Sequence, residues 1–202
     1  MTKSEFAARL KHAGAAVIAA EAELTAIDSK FGDADHGLTM SKIAKAVSAA
    51  AGESEGGIQA MLDDAAMAVM VLNGGSAVPL WNTWLDGLQE EAPEGDEIDV
   101  AGLKAIFAKA FEEIDDMSGA KVGDKTMMDA LIPASQAIAA YSGSDEAGLF
   151  DAAAQAALQG AEASKQFVSK FGRAKSYGEQ TIGTPDAGAA SMAYFFQGLA
   201  RP

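Results

Sequence analysis

The chain has 202 residues, 49% of them hydrophobic, with 29 acidic against 15 basic side chains and a net charge of -14. That apolar content suffices for one sizeable core, and residues 1–202 read as a single domain. The acidity excludes a general nucleic-acid surface, which needs a basic footprint, and the lack of cysteine excludes disulfides, thiolate metal sites and a cysteine nucleophile.

The start, Met1-Thr-Lys-Ser-Glu-Phe6, has no basic segment leading into an apolar core, and no run of about 18 uninterrupted apolar residues follows anywhere. Neither export nor membrane insertion is expected, and a cytoplasmic location is. The first predicted element is a long helix whose Phe6, Leu10, Val17, Ile18, Leu24 and Ile27 share one broad face. His12 lies on it and reads as a surface residue. Helical periodicity then recurs at about 37–51, 57–72, 76–90, 99–116, 126–142, 146–170 and 186–200, which makes about eight helices and an all-α chain. Gly52 with Gly56-Gly57, Pro93 through Asp99, Ser118-Gly119 and Ser142-Gly143-Ser144 supply the breaks.

Between the first two helices stands Ile27-Asp-Ser-Lys-Phe-Gly-Asp-Ala-Asp-His-Gly37, with Asp28, Asp33 and Asp35 close together. Clustered carboxylates repel one another unless a hard cation neutralises them, so magnesium bound to phosphates is the leading reading. A calcium loop beginning at Asp33 fails, because its fifth position is Gly37 and its twelfth is Ala44. The plainer alternative is that Asp33 or Asp35 caps the helix starting near Gly37, with Asp28 an ordinary surface acid. His36 is either a partner to a metal-binding acid, a phosphate contact or a helix-start residue without a role.

Three further connections are rich in glycine and polar residues. Asn73-Gly-Gly-Ser-Ala-Val-Pro-Leu80 precedes a helix whose free N–H groups favour an anion, although it is no Walker A loop and an ordinary turn explains it as well. Val122-Gly-Asp-Lys-Thr-Met-Met-Asp129 leads into a helix that Thr126 or Asp124 is able to cap, with Met127 suited to a planar ligand. Phe171-Gly-Arg-Ala-Lys-Ser-Tyr-Gly178, continuing to Ala189, is a long irregular stretch of the kind that carries function in compact domains. No Gly-x-Ser-x-Gly elbow supports serine chemistry.

In order and spacing, Asp28-x4-Asp33-Ala-Asp35-His36-Gly37, Gly74-Gly75 with Pro79-Leu80, Gly123-Asp-Lys-Thr-Met127, Gly172-Arg-Ala174 and Asp186-x-Gly-Ala189 resemble the nucleotide-binding L subunit of dihydroxyacetone kinases over nearly the whole chain. The resemblance implies an antiparallel eight-helix barrel with ADP or ATP and two magnesium ions in the loops at one end. It implies that Asp28, Asp33 and Asp35 hold the metal and, with Arg173, serve transfer. It also implies that His36, Gly37, Leu38 and Thr39 form a phosphate-contacting helix start, joined by Ser76 and Ala77. Met127 then matches an adenine contact, and Arg173 and Asp186 match the covering loop.

The acceptor in such kinases is a short-chain ketose on a separate K-type subunit, and the phosphoryl source is either free ATP or a phosphotransferase-system protein that recharges bound ADP. The chain itself is expected to be a monomer or homodimer. It departs from the usual pattern at Ala77-Val78, at Gln180 in Glu179-Gln-Thr-Ile-Gly183 and at Ala187 in Asp186-Ala-Gly188. These departures motivate the alternative of a nucleotide-binding regulatory module that has lost efficient transfer.

Overall fold

The computed structural model describes residues 1–201, and among these there are nine α-helices and no β-strand. They are α1 (Lys3–Ala19), α2 (Glu21–Asp28), α3 (His36–Glu53), α4 (Ile58–Met70), α5 (Ala77–Glu90), α6 (Val100–Ser118), α7 (Met128–Ala140), α8 (Glu146–Ala163) and α9 (Ala187–Leu199). Neighbours in space follow chain order: α3 packs on α1 and α4, each helix to α9 packs on the next, and α9 returns to α1. Eight helices thus close an up-and-down ring, with α2 extending α1 along α3, as the barrel expectation required.

Two sequence boundaries are corrected. The first helix is two, because Ala20 leaves helical geometry at φ -89° and ψ 2°; both pieces keep their apolar residues on one side, so the periodicity runs through the break. The helix expected to reach 170 stops at Ala163, continues as a 3₁₀ turn at Ser164–Gln166 and then leaves the ring. Residues read as an irregular loop contain a further 3₁₀ segment, Arg173–Thr181, kinked at Gly178 where φ is 54°.

The core inside the ring is aliphatic with an aromatic centre. Trp84 meets Phe195 edge to face at 5.5 Å and Phe196 at 6.0 Å, and Phe107 lies 6.1 Å from both Phe150 and Phe196. Buried Arg9 places its guanidinium 5.1 Å over Phe150 and donates to the Leu199 carbonyl at 2.7 Å, tying α1 to the end of α9. Small residues let the helices approach: a side chain on Gly198 would collide with the backbone of Ala13, and one on Gly160 with the Asp129 carbonyl. His12, expected on the surface, is half-buried, with Nδ1 enclosed and unpaired.

The two ends of the ring differ. At one, the Met1 ammonium donates to the Ile98 carbonyl and pairs with Glu146, both at 2.8 Å, and Lys3 donates to the Ser54 carbonyl at 2.7 Å. Of the helices starting there, three carry side-chain caps and α4, which follows Gly57, does not: Thr2 and Glu5 form a capping box on α1, Asp99 accepts from Gly102 N at 2.8 Å, and Asp145 accepts from Gly148 N at 2.7 Å. At the other end α3, α5 and α7 begin without any side-chain hydrogen bond from their N-cap residues, and only α9 has one, from Asp186. No helix among the described residues is long and apolar enough to cross a membrane.

Candidate functional site

The end at which α3, α5 and α7 start carries the aspartates. Oxygens of Asp28, Asp33 and Asp35 lie within 4.8 Å of one another, with Asp28 half-buried and the other two exposed. Asp28 closes α2, and its Oδ2 accepts from Asp35 N at 3.2 Å and His36 N at 3.4 Å, so it neutralises the start of α3 from outside the helix. Neither Asp33 nor Asp35 caps α3 with its side chain; the capping role considered for them belongs to Asp28. Gly32 is required by this arrangement, since a side chain there would strike the Asp28 carboxylate. Ala34 is held in the left-handed region at φ 62°, which costs a non-glycine residue about 1 kcal/mol and turns the chain between Asp33 and Asp35.

Charge balance comes from the covering segment. The Arg173 guanidinium pairs with Asp33 at 2.7 Å, while Phe31 and Tyr177 pack at 5.2 Å and Lys30 donates to Thr184 Oγ1 at 3.4 Å. All three contacts join the aspartate loop to residues 173–184. An all-oxygen donor set beside the starts of α3 and α5 fits a hard divalent cation carrying phosphates.

The remaining expected residues surround this cluster. His36 reaches Ser191 Oγ on α9 at 3.2 Å, and burial pushes its imidazole down toward the neutral form against the opposing pull of Asp28. Gly37 sits where α3 touches α2, Leu38 is exposed, and Thr39 is buried against Gly74 of the next loop. That packing carries Ser76 and Ala77, at the start of α5, toward the first turn of α3. Val78 is buried against Gly74, so this departure from the family pattern fills interior space. Met127 is buried at the start of α7, across from Gly188.

The capping expectation for Val122–Asp129 is corrected in part. Thr126 Oγ1 accepts from Met128 N at 3.2 Å, but Asp124 pairs instead with Lys170 at 2.6 Å. The turn is organised by Asp129, which is fully buried and accepts from Gly123 N at 2.6 Å and Thr126 N at 2.7 Å. Sequence reasoning passed over Asp129 and the buried Lys125 beside it. The available signal was an acid inside the apolar run Met127-Met128 and Ala130-Leu131-Ile132, a position that a helix buries.

Asp186 is the N-cap of α9, accepting from Ala189 N at 2.8 Å. Desolvation, reinforced by Asp129 and only partly offset by Lys125, pushes its carboxyl up to about 7. Since the folded value exceeds the ordinary one near 3.9, this stabilisation is complete below about pH 4 and is lost as pH rises toward 7. Asp186→Asn keeps the cap and removes the ionisation. Urea denaturation should find the variant more stable than the parent by on the order of 2 kcal/mol at pH 7.5, with the gap closing by pH 4.5; a constant difference between the two pH values would contradict the assignment.

Residues 30–201 match the model of the DAK2 domain. The chain is 36% identical over 179 residues to a D-erythrulose kinase of Mycolicibacterium smegmatis, covering 86% of this chain and 31% of that one. It is 28% identical over 183 residues to the ADP-binding subunit DhaL of the PEP-dependent dihydroxyacetone kinase of Escherichia coli, covering 88% and 86%. Among solved structures, the dihydroxyacetone kinase from C. freundii in complex with AMP-PNP and Mg2+ superposes with a TM-score of 0.71 at 25% identity, covering 96% of this chain and 33% of that one. The chain therefore spans about a third of the length of the erythrulose kinase and about nine-tenths of the bacterial subunit.

Proposed function

Because this chain belongs to the DAK2 domain family, we propose that it is a single-domain phosphotransfer subunit of the dihydroxyacetone kinase type, binding ADP or ATP with two magnesium ions and serving a small ketose on a separate K-type subunit. The observation that carries the reading is the convergence of Asp28, Asp33 and Asp35 within 4.8 Å at the end of the ring where α3 and α5 start without a cap from their N-cap side chains. Support also comes from the bacterial relative named an ADP-binding subunit and from the magnesium and AMP-PNP of the C. freundii enzyme.

Bound magnesium would supply positive charge to the phosphate oxygens. The three carboxylates hold it, and their position at the ends of α2 and α3 fixes where the phosphates lie. At the phosphate-contacting start of α3, residues 36–39, the amides of His36 and Thr39 are taken by Asp28 and the Asp35 carbonyl, so the amides of Gly37 and Leu38, with those of the α5 start at Ser76-Ala77, bind phosphate oxygens through hydrogen bonds and helix dipoles. Met127 offers an apolar face to the base, and Arg173, exposed and attached to the covering segment, offsets charge that develops during transfer. Asp186 starts the helix that closes the covering segment.

The alternative, a nucleotide-binding regulatory module, draws on Ala77, Val78 and Gln180. Backbone N–H donors do not depend on those side chains, and the aspartates and Arg173 are all in place, which favours transfer. A cytoplasmic setting and a phosphotransferase-system donor or free ATP are compatible with this assignment.

Calorimetric titration of ADP and ATP, with magnesium and then with chelator, tests it first; transfer to dihydroxyacetone with a K-type partner tests it second. Magnesium-dependent binding with transfer is the expected result. Tight binding without transfer to any small ketose would select the regulatory alternative, and no binding at all would remove both.

A further inference from the structure

Residues 164–186 leave the ring after α8 and return to it at α9, and the two ends of the excursion meet. Gly183 N donates to the Lys165 carbonyl at 2.7 Å, and Asp186 N donates to Ser164 Oγ at 2.9 Å. The segment is a loop with a closed neck, of the kind whose position is set at its base. Through that neck passes one ammonium from a different part of the chain: Lys125 Nζ donates to the Ser164 carbonyl at 2.6 Å on one side and to the Thr184 carbonyl at 2.5 Å on the other.

Lys125 is an unusual lysine. It is buried, 5% exposed, and its backbone is left-handed at φ 60° although it is not glycine. Both features cost free energy and persist only where the surroundings enforce them. The charged groups that face it are Asp129 on α7 and Asp186 at the start of α9, and burial still pulls its ammonium toward the neutral form. The other cationic contacts of the segment, at Arg173, Lys30, Lys170 and Lys165, are to side chains nearer the surface.

We propose that Lys125 is the positioning residue of the covering segment, an internal ammonium that clasps residues 164 and 184 together and thereby fixes where Arg173 stands over the aspartates. It touches neither the aspartates nor Arg173 and acts through the neck. The consequence for nucleotide rests on the function proposed above; the clasp itself does not.

Lys125→Met keeps the length of the side chain and deletes the ammonium. Hydrogen exchange of the ligand-free protein, followed by mass spectrometry, should become roughly tenfold or more faster in peptides spanning 164–184, while peptides from α4 and α5 keep the parent rates. Ser164→Ala removes the bond to Asp186 N and the one its hydroxyl donates to Ala161, keeps both Lys125 bonds, and should accelerate the same peptides by a smaller factor, which keeps the test decisive if Lys125→Met does not fold. Unchanged exchange at 164–184, or equal acceleration in α4 and α5, would overturn the clasp. In magnesium nucleotide, Lys125→Met should also dissociate ligand several-fold faster than the parent. Altered exchange with no nucleotide binding by the parent itself would retain the clasp and remove the function instead.

Discussion

Asp33→Asn is expected to lower magnesium-dependent affinity for ADP by at least about a hundredfold, more than the roughly 10–100-fold that outer-shell changes cost a metal site. The side chain is exposed, and its contact in the fold is the surface ion pair with Arg173. Such pairs contribute about 0–1 kcal/mol, so the helical ring has little to lose. What the substitution removes is one of three carboxylates gathered within 4.8 Å, leaving a neutral amide where a divalent cation requires charge. Without metal, thermal stability should hold or rise slightly, because one source of repulsion disappears. Calorimetry and circular dichroism on the same sample separate binding from folding: affinity within threefold of the parent, at unchanged helicity, would mean that the cluster does not hold the cation. Asp28 is the wrong choice for this experiment, since its carboxylate also receives the first amides of α3.

Arg173→Ala should act on a different quantity. The side chain is 69% exposed, so its loss leaves the fold undisturbed. If its guanidinium meets charge that appears only during transfer, the rate of the chemical step should fall by about 10³-fold, the lower range for arginines in that role, while nucleotide affinity changes by less than about tenfold. Arg173→Lys should recover only part of the rate, because an ammonium lacks the planar fork that engages two oxygens at once. Single-turnover transfer with a K-type partner reports the step directly. A loss confined to affinity would make Arg173 a ground-state contact.

The contrast between these residues and Lys125 shows what was legible in the chain and what was not. Asp28, Asp33 and Asp35 stand out because like charges so close in sequence need an external reason, and helical periodicity from Phe6 onward specifies an all-α fold for equally local reasons. The break at Ala20 is hidden because apolar residues on either side of it face the same interior. The polar stretch from Arg173 to Thr181 has no apolar period, so it reads as irregular; its 3₁₀ geometry is imposed from outside, by Phe31, Asp33 and the neck at 164–184. Lys125 and Asp129 escape notice because their residue types are ordinarily solvated, and only tertiary packing decides that these two are enclosed. Ser191, which meets His36 across the ring, is invisible for the same reason.

Chain direction has an engineering consequence. Met1 is fastened to Ile98 and Glu146, and Leu199 and Arg201 are fastened to Arg9, both away from the aspartate loop. A polypeptide fused at either end therefore emerges on the far side of the ring, and a tag placed there does not crowd the aspartate loop. To bring a covalently attached acceptor unit round to the aspartates, a connector has to travel the height of the ring. An 18-residue helix such as α3 rises about 27 Å, which takes about eight extended residues to cover. Fusions with shorter connectors should bind nucleotide normally yet transfer only between molecules, with a rate that depends on protein concentration.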